Sequence, residues 1–184
     1  MNITYIVIIV AFLFLIVPWI TVGVRHLKLL RKNVIDSWEF VDEKIRARHD
    51  LLPLIVEVIR GSANSGESAF STSFTKIADR LVQARDQARR VYFASGEKTE
   101  TEHELSKVVS DLINFGNGLS DVSKDIRFLE FKKELNDFGS DIENRSREYN
   151  EVVRKFNTNR NIFILKPITF LLRMNQALIF EFEK

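Results

Sequence analysis

The sequence predicts an all-α protein: one N-terminal transmembrane helix, then an antiparallel up-down bundle of about four long helices. Three observations lead there. The 184 residues include only 7 Gly and 3 Pro, and they are rich in Leu, Ile, Val, Glu, Lys and Arg, a composition that favours long helices over strands and turns. Residues 3–24, ITYIVIIVAFLFLIVPWITVGV, contain no charged side chain. Beyond them the apolar residues recur at alternating spacings of four and three, which lays one apolar stripe along each helix.

The opening segment comes first. As a helix its 22 residues reach roughly 33 Å, enough for a hydrocarbon core of about 30 Å. Pro18 and Gly23 are tolerable in such a span, and Trp19 suits the interface. A cleaved signal peptide would need a basic start and a small-residue cleavage site, and neither is present. Arg25, Lys28, Arg31 and Lys32 follow the segment and no Lys or Arg precedes it. The positive-inside rule therefore expects residues 1–2 outside, residues 3–24 in the membrane and the remainder in the cytoplasm.

Four seams define the bundle, over residues 25–160. The first runs through Val34, Trp38, Val41, Ile45, Arg48, Leu52, Ile55 and Ile59. The second has Phe70, Phe74, Ile77, Leu81, Ala84, Ala88 and Val91; the third has Leu105, Val108, Leu112, Phe115 and Leu119. The fourth carries Phe128, Phe131, Leu135, Phe138, Ile142, Arg145, Tyr149, Val152 and Phe156. Between them, residues 61–68, 94–101 and 116–125 collect Gly, Ser, Asn and Asp. Gly61, Gly96 and Gly116 suit helix C-caps, and Thr99 with Glu102 fits a capping box. Connections this short imply antiparallel neighbours. Residues 161–184 form an apolar tail broken by Lys166, Pro167 and Arg173, a poor second span. It is expected to fold back with some membrane contact.

Polar residues on the seams mark the candidate site. Arg48 falls in the core register, flanked by Arg46 and Asp50, with His49 further round. A buried arginine needs a partner. Helical rise places Arg48 about 18 Å from the bundle tip, level with Asp141 and Asp137 on the fourth helix. Asp141 is the expected partner, Asp137 the second choice, and Arg145 joins the layer or snorkels from it. Pro53 lacks an N–H and so frees the His49 carbonyl, from which a kink or local opening is expected. Tyr149-Asn150 and Phe156-Asn157 are spaced by seven, with the aromatics on the seam and the amides beside it, suited to interhelical hydrogen bonds.

Several function classes are excluded or disfavoured. Lys+Arg 27 against Asp+Glu 25 gives a net charge of +2, against a dedicated nucleic-acid binder. With no Cys there is no disulfide framework, thiolate metal site or Cys nucleophile. Glu100-x-x-His103 supplies half of a di-metal carboxylate motif whose second half is missing. His103 also lacks the flanking pattern of a phosphotransfer histidine. No nucleophile elbow, zinc-protease or phosphate-loop string occurs. Arg80, Arg85, Arg89 and Arg90 face away from their seam and read as solvated surface. No enzyme activity, cofactor or metal is expected.

One family resemblance joins these residues. Trp38, Val41 and Asp42 in W-x-x-V-D, then R-x-R-H-D-L-L-P from Arg46 to Pro53, then Glu57 and Gly61, resemble the LemA family of bacterial membrane proteins. So do Leu81 to Arg85 (L-V-x-A-R) and Tyr149, Asn150, Val153, Phe156 and Asn157 near the end of the fourth helix. The family's T-E-x-x-I is replaced here by residues 138–142, so the role of that glutamate does not carry over. The resemblance implies an N-terminal anchor and a cytoplasmic helical bundle, with no agreed enzymatic activity. Branches of the family are linked to membrane organelle formation and to membrane protein quality control. The expected function is a non-enzymatic membrane-tethered scaffold. The alternatives are an adaptor for a membrane protease or quality-control complex and, from another class, a cryptic enzyme or phosphotransfer bundle. Expected partners are the lipid bilayer and a membrane or cytoplasmic protein, with homo-oligomers also open.

Overall fold

The computed structural model describes residues 3–62, 68–162 and 166–183, and within them all side chains except those of residues 4, 6, 8, 9, 12, 13, 62 and 68–71. The chain forms α1 (Ile3–Ser62), α2 (Ser68–Arg90), α3 (Gly96–Asn117), α4 (Ile126–Arg160) and the short α5 (Lys166–Leu171). Among the described residues there is no strand. The opening segment and the first bundle seam belong to a single helix of 60 residues, which continues through Pro18 and Pro53, so neither proline opens it. Among the described residues no helix is long and apolar enough to cross a membrane.

The chain divides into two compact units. One comprises Ser37–Asn150 with Leu178–Lys184, the other Met1–Asp36 with Glu151–Ala177. In the first, side-chain pairs fix helix directions. Asp50 meets Arg89 at 2.6 Å and Arg60 lies over Phe74, so α1 and α2 are antiparallel. Arg80–Asp111 at 3.1 Å and Lys98 on the Ala88 carbonyl make α2 and α3 antiparallel. Lys44–Asp141 at 3.1 Å and Trp38 against Tyr149 do the same for α1 and α4. The result is the up-down-up-down order that short connections require.

The periodic seams are where the core lies. Trp38, Val41, Ile45, Leu52, Ile55 and Ile59 of α1 are buried, as are Leu81, Ala84 and Ala88 of α2 and Leu105, Val108 and Leu112 of α3. Phe70 lies outside the described side chains. On α4 the seam slips at residue 145: Arg145 is exposed beside Phe40 and Glu148. Ser146, Tyr149, Val153 and Phe156 carry the buried stripe on, with Val153 in place of Val152. Tyr149 and Phe156 keep the seven-residue register, and only the intermediate positions move on by one residue, to Ser146 and Val153.

The caps also differ from expectation. Ser95, in extended conformation, is the N-cap of α3 and accepts from the Lys98 amide. Gly96 thus begins a helix, and Thr99 and Glu102 lie inside it, so no capping box forms there. Gly116 sits within α3, where a Cβ would lie 2.7 Å from the Phe128 ring and 3.4 Å from Ile59. Its missing side chain lets α4 approach α3.

The tail is secured by two carboxamides. In one unit Asn157 donates to the Ala177 carbonyl at 2.8 Å and accepts from its amide at 3.0 Å, while Arg160 donates to the Met174 carbonyl. In the other, Asn150 does the same to Phe180 at 2.8 and 2.9 Å, and Tyr149 donates to the Leu178 carbonyl. A carboxamide offers one donor and one acceptor side by side, so it pairs with a peptide as a neighbouring strand would. The amides bond the tail main chain, not another helix. Phe180, fully buried, edges onto Trp38. After α5, Arg173 adopts φ 49° and Met174 donates to the Thr169 carbonyl, a left-handed cap.

Asn150→Ala leaves a main-chain N–H and C=O of Phe180 without partners. Amide exchange at residues 178–182 is expected to accelerate by about tenfold or more, given a cost of about 1–3 kcal/mol per unsatisfied group, while α2 and α3 keep their protection. Hydrogen exchange read by mass spectrometry checks this.

Candidate functional site

The most unusual feature of the larger unit is a dry layer of polar side chains between α1 and α3. Arg48 (4 % exposed), His49 (1 %), Lys98 (2 %) and Glu102 (1 %) all lie inside it. Each has a local reason to be there. Arg48 occupies a seam position of α1 and His49 the position beside it. Lys98, Glu102 and Ser106 follow one another at intervals of four and so share a face of α3.

Glu102 is the hub. Its Oε2 lies 3.1 Å from His49 Nε2 and 3.8 Å from Arg48 Nη1, and its Oε1 lies 2.9 Å from Lys98 Nζ. The Lys98 contact is an ion pair without hydrogen-bond alignment, since Glu102 Oε1 has no hydrogen-bond partner. Lys98 Nζ donates instead to the Ala88 carbonyl at 2.9 Å. Arg48 Nη2 donates to Ser106 Oγ at 3.0 Å, and Ser106 donates on to the Glu183 carbonyl. The Phe182 ring faces the guanidinium at 5.2 Å, a cation–π contact. Thus the last turn of sequence closes over the layer.

Electrostatics follow from that geometry. Burial pushes the Glu102 carboxyl up, but the hydrogen bond and charge of His49, joined by Lys98, outweigh it and hold the group below its ordinary range. Burial pulls the Arg48 guanidinium down, opposed by Glu102. Burial raises the Tyr149 phenol to about 12. Arg48 Nη1 and His49 Nδ1 are buried without a hydrogen-bond partner.

The expected partner of Arg48 is therefore corrected: its carboxylate is Glu102, and Asp141 pairs with Lys44. On α4, Asp141 is level with Lys44, about one turn from Arg48, and the nearer carboxylate comes from α3, which runs parallel to α1. The polar layer itself is present, with Arg48 pointing inward. Arg46 turns back to Asp42 at 2.7 Å and Asp50 out to Arg89, so both leave the layer. Pro53, Glu57 and Arg85 line a separate cleft of about 240 Å³ between α1 and α2, apart from Arg48 and His49, which meet at Glu102. His103 pairs with Glu183 at 2.9 Å.

Sequence reasoning missed Lys98, Glu102 and Ser106. Their spacing of four was the available signal, obscured because residues 94–101 read as a connection. Chemically the layer can hold charge and orient hydrogen bonds. Among the described residues no group of three or more His, Asp and Glu is placed to bind a metal ion.

The LemA family model matches residues 37–184, a span that holds the bundle, the polar layer and the tail. No curated protein matches the chain.

Removing the hub should be far worse than removing a spoke. Glu102→Ala leaves buried cations unpaired and is expected to cost about 3–5 kcal/mol, whereas Arg48→Met, similar in volume, should be close to neutral. Because the folded carboxyl is depressed, its contribution is present above the unfolded value of about 4.3 and is lost as pH falls through the folded value. Denaturant unfolding from pH 7 to pH 3 should show an acid-side loss of stability that Glu102→Gln flattens.

Proposed function

This chain belongs to the LemA family, and from that premise we propose that it is a non-enzymatic scaffold. Residues 3–24 tether it to a bacterial inner membrane, and the bundle presents its outer face to a protein partner on the cytoplasmic side. The observation that carries the proposal is the uncharged stretch of residues 3–24, immediately followed by Arg25, Lys28, Arg31 and Lys32.

Burial in the smaller unit supports it. Phe14, Leu15, Val17 and Val22 are exposed, yet Leu27 and Leu30 are buried. Protein cover on α1 thus begins at about Gly23 and Val24, where the uncharged stretch ends. Apolar side chains such as these left bare in water would be unfavourable, and a bilayer satisfies them. Phe170 and Leu171 of α5, 88 % and 81 % exposed, lie between Lys166 and Arg173 in the same unit. That is a composition suited to an interface. The scaffold assignment is supported by the polar layer: its charged groups face one another around Glu102, and its closest seryl oxygen, Ser106, serves Arg48 and the tail.

Carbonate-resistant membrane association of the full-length chain is expected. It should be lost in a Val10→Arg, Leu15→Arg double variant, each arginine costing about 2.5–3.5 kcal/mol at the centre of a span. A wild-type chain extracted by carbonate, or a double variant that stays in the membrane, contradicts the tether. Crosslinking in the same membranes separates an adaptor, which gives one stoichiometric partner, from a homo-oligomeric scaffold, which gives self-crosslinks.

A further inference from the structure

The polar layer is unbalanced. Arg48 and Lys98 bring two cationic groups into the interior, His49 adds a third group able to carry charge, and Glu102 is the one buried carboxylate among the described residues. Lys98 holds the closer position, at 2.9 Å against 3.8 Å for Arg48. Arg48 therefore has the weaker claim on the shared carboxylate, and its Nη1 makes no hydrogen bond. An interior guanidinium in that state is a site for an anion.

Arg48 also borders an open groove between α3 and α4, of about 570 Å³, within the range of small-molecule sites. Val109 and Ile113 of α3 and Leu129 and Leu135 of α4 form its walls, and Lys132 and Lys133 stand along α4. Among the described residues no carboxylate lines it. Leu129 is 47 % exposed, so part of the apolar wall faces solvent. From Ser106 to Ile113 the α3 side runs about 10.5 Å, close to the length of an extended octyl chain.

We infer that this groove binds a single-chain amphiphile with an anionic head, the head against Arg48 and the chain along Val109, Ile113, Leu129 and Leu135. Charge complementarity selects the occupant: a guanidinium short of acceptors at one end, lysines beside the walls and no acid anywhere along them. The head meets the end of the groove lined by Arg48 and Ser106, and the chain covers apolar surface now open to water. This inference is independent of the tether, since every lining residue lies in the larger unit.

The test is calorimetric titration of the full-length chain in lipid nanodiscs, with empty nanodiscs as the blank. The titrants are octanoate, octyl phosphate and octylammonium. Saturable binding of octanoate or octyl phosphate is expected, at least about tenfold tighter than octylammonium, as charge-assisted hydrogen bonding to Arg48 requires. The tighter of the two anions identifies the head as carboxylate or phosphate. Arg48→Met should weaken binding by about tenfold or more, and Leu129→Glu, at an exposed position, should do the same by placing a like charge at the wall. Lys76→Glu, exposed on α2, should leave affinity unchanged. Octylammonium binding as well as the anions, or affinity unaltered in Leu129→Glu, overturns the inference whether or not Arg48→Met folds.

Discussion

A single carboxylate governs the interior of the larger unit. Glu102 meets His49, Lys98 and Arg48 where water is excluded. Each of those groups would be costly to bury alone, by several kcal/mol per ion. The contacts of Glu102 with His49 and Arg48 of α1 fix the relative position of α1 and α3, while the Lys98 contact lies within α3. Ordinary apolar seams tolerate small slides; a charged layer does not. Arg48 then fixes Ser106, and Ser106 receives the tail at Glu183. The register of two helices and the docking of the last residues thus depend on one side chain.

The tail uses a second device of the same kind. Asn150 and Asn157 each bind both main-chain polar groups of one residue, giving the tail the hydrogen bonds that it would otherwise find in a sheet. Phe180 and Phe182 then bury their rings against Trp38 and Arg48. Directional bonds set the register of the tail, and apolar burial supplies most of its stabilisation. This explains why an aromatic residue precedes each asparagine on α4: Tyr149 and Phe156 face the core while the neighbouring amides face the tail.

The helical fold was legible because apolar period is written directly in sequence. Trp38, Ile45, Leu52, Ile59, Leu105, Leu112 and Ile142 all lie where spacing placed them. Two kinds of feature were not legible. Helix starts near residue 95 were misjudged because Gly, Ser, Lys, Glu and Thr are equally at home in a connection and in a first turn, and only the Ser95 cap geometry separates the two. The partner of Arg48 was misjudged because depth along a bundle ranks candidates on every helix at that level, and the choice between α3 and α4 depends on azimuth. Glu102, placed by sequence in a capping turn, does not read as a carboxylate facing Arg48. The Asn pairs were visible as a repeat, but the bonds they make need the tail, whose extended path no periodicity announces.

The central claim is that the cost of losing Glu102 arises from the cations left behind. A double-mutant comparison addresses it most directly. The unfolding free energy lost on Glu102→Gln would be measured in the native background and again with Arg48→Met and Lys98→Met together. A coupling of about 2 kcal/mol or more, with little loss in the double-Met background, is the predicted result. An equal loss in both backgrounds would contradict the account, since Glu102 would then act through packing alone.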